Sequence, residues 1–151
     1  MHTVPAHTIV FLHAHPDDEA SQTSGSMARA VAEGSRVVVV FATNGDHGEV
    51  PADLAPGEGV VDRRRVEAAA SAAAIGLHRV EWLGYADSGS GPQPEPDVPG
   101  QVRFTRAPLE EAAERLAAIL RTERADLLNS YDANGGYGHR DHVRVHEVGA
   151  R

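Results

Sequence analysis

The sequence predicts an α/β fold, a Rossmann-like parallel sheet with helices on both faces. Short apolar, β-branched segments alternate along the chain with longer segments whose apolar residues recur at helical spacing. One segment, RVVVVFAT at 36–43, is an almost continuous apolar run, which is typical of a parallel strand covered on both faces. These observations predict the order β-α-β-α-β-α-β-α.

Each predicted element has its own local signal. Strands are expected where apolar residues run together, at 8–14, 36–43, 79–85 and 125–131. Helices are expected where the spacing is helical, at 26–34, 61–76, 108–124 and 141–151. Gly34 and Gly76 are suitable helix C-caps, and Pro108 suits the first turn of the third helix.

Two long loops and the last helix complete the predicted organisation. Loop 44–59 is acidic and rich in glycine, whereas loop 87–101 is rich in Pro, Gly and Ser. Loops of this length are binding loops, lids or disordered segments. The 151 residues suit a single domain. Because the last helix has barely begun at Arg151, we expect the domain 1–151 to be incomplete at its C-terminal end.

The composition excludes several classes of function. Asp and Glu number 22 against 14 Lys and Arg, a net charge of −8, which argues against binding nucleic acid or an anionic membrane. The chain has no cysteine, so disulfides, thiolate ligands and a cysteine nucleophile are excluded. It has neither a recognisable signal peptide nor an apolar stretch of transmembrane length. We therefore expect a cytoplasmic protein with a small-molecule partner, and a homo-oligomer is possible.

Polar clusters follow all four predicted strands. They are HPDDE at 15–19, TNGDHGE at 43–49, ADSG at 86–89 and YDANGGYGHRDH at 131–142. In an open parallel sheet, ligands bind beyond the carboxyl ends of the strands. Four loops from distant parts of the sequence are therefore expected to meet at one mouth.

The first and last clusters together indicate a metal site. His15 and Asp18 are three residues apart at a strand-to-helix turn, so their side chains share one side. Catalytic zinc takes three His or carboxylate ligands, and the third could be His139 or His142. Asp17 could then act as a general base. For either cluster alone, helix capping by the acids is as good an explanation as a metal site. It does not explain why both clusters occur at strand ends of one sheet.

The other histidines and motifs add little to this hypothesis. His13 lies in a strand and is expected in the core or supporting a ligand, while His47 could take either role. Surface positions are expected for His2, His7 and His78. The pair His142–His146 lacks the glutamate of a zincin motif, because Val143 follows the first histidine. Dinucleotide, P-loop and nucleophile-elbow motifs are all missing.

The combination of AHPDDE with YGHRDH resembles the PIG-L/LmbE family of zinc-dependent N-acetylglucosaminyl deacetylases. The similarity is greater to the actinobacterial mycothiol branch, which contains a deacetylase of N-acetylglucosaminyl-inositol and an amidase of mycothiol conjugates. Similar segments span nearly the whole chain and include TNGDHGE, LGYADSG and SYDANGGYGHRDHVRVHEV.

The resemblance implies a role for nine residues. The implied zinc ligands are His15, Asp18 and His142, although iron or another divalent ion also suits such a set. In the implied catalytic group, Asp17 is the general base, His139 stabilises the oxyanion or protonates the leaving amine, Asp141 orients an imidazole, and Tyr137 assists at the oxyanion. The implied ligands of the sugar hydroxyls are Arg64 and Asp87.

The resemblance also implies the reaction, with alternatives. The expected reaction is hydrolysis of an N-acetyl amide to acetate and a free amino sugar. One alternative is amidase cleavage of a larger mycothiol conjugate, and another is a non-catalytic metal- or sugar-binding fragment. Two positions depart from the family pattern: Arg140 replaces a common proline and Asn134 a common histidine, although neither removes a predicted ligand.

Overall fold

The computed structural model describes residues 6–151, so His2 lies outside the described part. Its four strands form one parallel sheet in the order β3-β2-β1-β4. The strands are β1 at Thr8–His13, β2 at Arg36–Thr43, β3 at Arg79–Tyr85 and β4 at Leu127–Asn129. The predicted fold class is confirmed.

Five helices accompany the sheet within residues 6–151. They are α1 at Ser24–Ala32, α2 at Val60–Ile75, α3 at Leu109–Glu123, α4 at Gly135–Gly138 and α5 at Arg140–Ala150. A π-helical turn at Glu19–Thr23 precedes α1, so helical structure begins earlier than the predicted 26. A 3-10 turn at Phe104–Arg106 and the short α4 were not predicted.

Helices cover both faces of the sheet because β1 and β2 alternate their apolar side chains between two cores. On one face, Val10 and Val38 share a buried cluster with Leu116 of α3 and Val145 of α5. On the opposite face, strand residues pack with Met27 of α1 and, in a separate cluster, with Ala68 of α2. These two-sided contacts explain why β2 is an almost uninterrupted apolar run.

The fourth strand is shorter than its prediction of 125–131. Only Leu127–Asn129 is strand, paired with Ile9–Phe11 of β1. Leu127 is 54% exposed at this edge of the sheet. The apolar run predicted the strand but not how few of its residues would form the ladder.

The two long loops are joined by a buried arginine. Arg103 is 3% exposed, and its Nη1 donates to the Asp46 carboxylate at 2.6 Å and to the Asp87 carbonyl at 2.8 Å. The Asp46 carboxylate also accepts the Asp87 amide at 2.9 Å. The loops after β2 and β3 are therefore fixed to one another beside the carboxyl ends of the strands. Among the described residues, no helix is both long and apolar enough to cross a membrane.

Candidate metal centre and active site

A cavity of about 310 Å³ lies where the loops after the strands meet. Seven of the nine predicted site residues line it: His15, Asp17, Asp18, Arg64, Asp87, Tyr137 and His139. The other two, Asp141 and His142, are completely buried. All nine predicted residues thus lie in one region. Eight of them come from the strand-end clusters, as the strand-end argument predicted, and Arg64 comes from α2.

Asp18 lies between the other two predicted metal ligands. Its Oδ2 is 3.4 Å from His15 Nδ1 and 3.3 Å from His142 Nε2. The same oxygen accepts the backbone N–H of His15 at 2.8 Å, which fixes the turn after β1. Burial alone would raise the pKa of Asp18, but the hydrogen bonds with His142 and His15 lower it far below its ordinary value.

His139 is also close to this group. One ring nitrogen of each of three histidines lies within 4.8 Å of a ring nitrogen of the other two. These histidines are His15, His139 and His142. His139 is the N-cap of α5, where its Nδ1 accepts the Asp141 N–H at 3.2 Å. Burial, together with the charge of His15, lowers the pKa of His139. The three imidazoles therefore lie close enough together to share one metal ion.

The carboxylate of Asp141 contacts the ring of His15, whereas its backbone N–H contacts His139. Its Oδ2 lies 3.1 Å from His15 Nε2 and accepts the Ser88 N–H at 2.9 Å. Asp87 Oδ2 is 3.6 Å from the same histidine nitrogen. The imidazole that faces Asp141 is thus on the first strand-end loop, 126 residues away along the chain.

The three carboxylates control the protonation of His15. Burial alone would lower its pKa, but hydrogen bonds with Asp141 and Asp18 and the charge of Asp87 raise the pKa of His15 to about 10. Burial raises the pKa of Asp87. For Asp141, the bonds with His15 and Ser88 outweigh burial, and its pKa is lowered. In the metal-free chain a proton on His15 thus offsets part of the buried negative charge.

The residues present fit a divalent cation. Two buried side-chain atoms in the cluster, His142 Nδ1 and Asp141 Oδ1, have no hydrogen-bond partner among the described residues. A second group of buried potential ligands consists of His15, Asp87 and Asp141. Imidazole and carboxylate donors suit zinc and several other divalent ions. A His/Asp set in this cavity could therefore hold a metal ion.

Asp17 lies at the mouth of the cavity and is exposed. Its carboxylate accepts a hydrogen bond from Arg64 Nη1 at 2.9 Å. The same nitrogen donates to the Pro16 carbonyl at 2.7 Å. Arg64, predicted to bind sugar hydroxyls, therefore lines the cavity while holding the predicted general base.

Two glycines of TNGDHGE make room for Arg64. A Cβ on Gly45 would lie 2.9 Å from Arg64 Cδ, and a Cβ on Gly48 would overlap its guanidinium group. Gly45 also has a φ of +65°, which favours glycine. Sequence reasoning singled out this segment but not the purpose of its glycines, because Arg64 comes from a different element.

The surroundings of His142 were also missed. The ring of Tyr131 stacks on that of His142 with centroids 4.4 Å apart. Tyr131 Oη lies 2.9 Å from Nδ1 of His13, whose Nε2 is 2.8 Å from Thr23 Oγ1. Burial lowers the pKa of His13 to about 4. The expectation that His13 is a core or supporting residue is thus confirmed.

Tyr137 and Gly135 contact His142 from the loop after β4. Tyr137 is 69% exposed, and its Oη lies 3.5 Å from His142 Nε2. Gly135 has a φ of +63°, and a Cβ there would lie 2.7 Å from His142 Cβ. The glycines of NGGYG therefore allow this loop to pack directly against the candidate ligand.

The remaining histidines follow their predictions in part. His47 is exposed and lines the cavity. His7 is partly exposed, as expected for a surface residue. His78 is exposed, but its Nδ1 accepts the N–H of Val37 at 3.1 Å, so it also satisfies the start of β2.

Comparison with known proteins identifies the family. Residues 10–151 match the family model PIG-L, described as GlcNAc-PI de-N-acetylase. The chain belongs to this family. It is 41% identical over 153 residues to a 1D-myo-inositol 2-acetamido-2-deoxy-alpha-D-glucopyranoside deacetylase of Thermobifida fusca, covering 95% of this chain and 53% of that protein. A protein of the same name, numbered 1, from Catenulispora acidiphila is 40% identical, covering 97% and 48%. The chain spans about half the length of these curated relatives.

Solved structures show the same fold. The N,N'-diacetylchitobiose deacetylase of Pyrococcus horikoshii matches with a TM-score of 0.74 and 26% identity, covering 96% of this chain and 48% of that one. GalB, the 4-carboxy-2-hydroxymuconate hydratase of Pseudomonas putida, matches with a TM-score of 0.68 and 22% identity, covering 95% and 54%. Since a hydratase shares the PIG-L fold, the chemistry must be argued from the site.

Proposed function

We propose that this chain carries the catalytic centre of a zinc-dependent deacetylase that hydrolyses the N-acetyl amide of an N-acetylglucosaminyl glycoside. The observation that carries the proposal is the position of Asp18. One of its oxygens lies 3.4 Å from an imidazole nitrogen of His15, in the turn after β1, and 3.3 Å from one of His142, in the first turn of α5. These two turns meet beside a cavity with a second carboxylate, Asp17, at its mouth. The family membership and the names of the relatives support the choice of reaction.

The proposed metal ligands are His15, Asp18 and His142. Bound zinc lowers the pKa of a water molecule to about 7 and polarises a carbonyl oxygen. Asp141 and Asp87 would hold His15 in position through its Nε2. Tyr131, stacked on His142, would fix the plane of the second imidazole.

Asp17 is the proposed general base. It takes the proton of the water that attacks the acetyl carbonyl, and that proton later reaches the leaving amine. Its exposed position at the cavity mouth gives it access to solvent and substrate, while Arg64 limits its rotation. The products are acetate and a free amino sugar.

Tyr137 and His139 are the proposed stabilisers of the oxyanion. Because His139 Nδ1 accepts the Asp141 N–H, the hydrogen of its neutral ring belongs on Nε2. The lowered pKa of His139 favours this neutral form at pH 7. His139 and the Tyr137 hydroxyl are then both able to donate to the developing negative charge.

The proposed substrate is a small amino sugar whose hydroxyl groups contact Arg64 and Asp87. Both residues line the cavity, Arg64 from α2 and Asp87 from the loop after β3. We also propose that the protein is cytoplasmic and that residues 1–151 belong to a single domain. Cleavage of a mycothiol conjugate at the same glucosaminyl nitrogen uses the same chemistry, and substrate size separates the two reactions.

The test combines metal analysis with an assay of amine release. The purified chain is loaded with zinc or Fe²⁺, and its activity is measured on N-acetylglucosamine, its inositol glycoside and a mycothiol conjugate. The proposal predicts about one zinc per chain and faster release from the inositol glycoside than from the conjugate. Faster release from the conjugate would support the amidase. Bound zinc with no release from any of the three would support a non-catalytic fragment.

A further inference from the structure

The proposed base, Asp17, has an unusual backbone conformation. Its φ is +146°, a value that residues with a Cβ rarely adopt. Its side chain is 64% exposed, so little packing holds the carboxylate in place. The position of this carboxylate therefore depends on the backbone and on its bond to Arg64.

The backbone of Asp17 is held at both its polar groups. Its carbonyl accepts the amides of Ala20 and Ser21, at 3.1 Å and 3.3 Å. Its N–H donates to Glu19 Oε2 at 2.9 Å. The other carboxylate oxygen of Glu19 accepts a hydrogen bond from Ser71 Oγ of α2 at 2.7 Å. Glu19 thus links the strained residue to a helix on one face of the sheet.

Glu19 is costly to bury. It is 2% exposed, and no arginine, lysine or histidine within residues 6–151 forms an ion pair with it. A buried carboxylate without a cation is rare and is tolerated only when hydrogen bonds compensate it. Capping of the helical turn Glu19–Thr23 would need only an exposed side chain at the helix start. Its burial and its hydrogen bond with Ser71 instead hold the Glu19 carboxylate in one position.

We propose that Glu19 is a positioning residue that, braced by Ser71, holds Asp17 in its strained conformation and so aims the catalytic carboxylate. This inference rests on the proposed function, because it assigns to Asp17 the role of base. Glu19 touches no reacting atom. Its effect reaches the reaction only through the backbone of Asp17.

The first experiment is a double-mutant cycle between Glu19 and Asp17. Glu19→Met keeps a similar volume but removes both acceptors, and we expect kcat to fall by about 10²-fold with a much smaller change in KM. Glu19→Gln keeps an acceptor for the Asp17 amide and should restore most of kcat. In the Asp17→Asn background, Glu19→Met should cause no further loss, because the carboxylate it positions is already gone. An equal loss of kcat in both backgrounds would overturn the proposal.

A matched control separates positioning from general stability. Glu123 is also a buried carboxylate, but it contacts Arg36 at the opposite ends of the strands. Glu123→Met should lower the thermal stability and leave kcat per folded, zinc-loaded chain unchanged. If Glu123→Met and Glu19→Met reduce kcat equally, the effect of Glu19 is structural and the proposal fails. Ser71→Ala, which keeps Glu19, should give a smaller loss of kcat than Glu19→Met.

A structural measurement tests the proposal without activity. In a crystal structure of Glu19→Met, we expect the φ of Asp17 to leave the region near +146° and the contact between Asp17 and Arg64 to break. Should the variant not fold, the same comparison is made with Ser71→Ala, where a smaller displacement is expected. An unchanged Asp17 would contradict the positioning role. If unmodified chains release no amine but Asp17 moves in the variant, the proposed function fails and the positioning stands.

Discussion

The two ends of the sheet both contain buried carboxylates, but they are neutralised in different ways. At the amino ends of the strands, Glu123 accepts hydrogen bonds from Arg36 at 2.7 Å and 3.0 Å, and Arg79 lies 3.4 Å away. At the carboxyl ends, three buried carboxylates surround His15, and none has an arginine or lysine partner among residues 6–151. They are Asp18, Asp87 and Asp141.

This difference distinguishes a structural site from a functional one. Burying a charge is tolerated when a fixed partner compensates it, as Arg36 does for Glu123. A cluster with excess negative charge destabilises the folded chain until a cation binds. The carboxyl end of the sheet therefore has the electrostatics of a cation site, whereas the amino end does not.

The largest effect is expected from removal of His142. His142→Ala should abolish amine release and reduce zinc well below one per chain, because one of three proposed ligands is lost. Elemental analysis of the purified variant checks this. His146→Ala is the control, because His146 lies on the same helix and its hydrogen bond within residues 6–151 is to the Tyr131 carbonyl. Full zinc binding by His142→Ala would remove His142 from the ligand set.

The next effect is expected at Asp17. Asp17→Asn should keep about one zinc and lose amine release by ~10²–10⁴-fold, the usual contribution of a general base. The comparison of zinc content with kcat in the same preparation checks the result. Retained turnover would show that another group accepts the proton.

A smaller effect is expected from the glycines beside His142. Gly136→Ala introduces a Cβ into open space at a φ of +73° and should cost only ~1 kcal/mol of stability. Gly135→Ala, at a φ of +63°, also forces a Cβ against His142, which should add ~1–3 kcal/mol. Denaturant unfolding measures both costs. Only Gly135→Ala should weaken zinc binding, and equal zinc affinity in the two variants would show that this contact does not position the ligand.

The most gradual effect is a pH dependence of the metal-free chain. The folded pKa of His15 is raised to about 10, above its unfolded value of 6.5. Its contribution to stability is thus complete below pH 6.5 and is lost as the pH rises through 10, by up to ~1.4 kcal/mol per pH unit. Unfolding in the presence of a chelator from pH 6.5 to 10 measures this loss. His15→Gln should flatten it, and an unchanged slope in that variant would assign the dependence to another group.

The sequence predicted the fold well because its strong signals are periodic. The apolar run of β2 and the helical spacing of α3 needed no knowledge of distant contacts. The length of β4 was not predictable in this way, since it depends on how many of its residues pair with β1. The turn at Glu19–Thr23 was missed because it begins with hydrogen bonds from the amides of Ala20 and Ser21 to the Asp17 carbonyl. The sequence HPDDE does not show these bonds.

The site was predicted only in part, because local spacing is visible in the sequence and contacts between distant residues are not. The spacing of His15 and Asp18 within one turn was visible in the sequence, and their side chains do meet. The contact of Asp141 with His15 joins residues 126 positions apart, and only the folded chain shows it. The space that Gly48 leaves for Arg64 likewise depends on two elements that pack together only in the fold.

The most direct test of the central claim is a crystal structure of the zinc-loaded chain, with the metal located by anomalous scattering. We predict one zinc bound by His15, Asp18 and His142, with ligand distances of about 2.0–2.2 Å. Zinc on His15, Asp87 and Asp141, or no zinc in the cavity at neutral pH, would contradict the account.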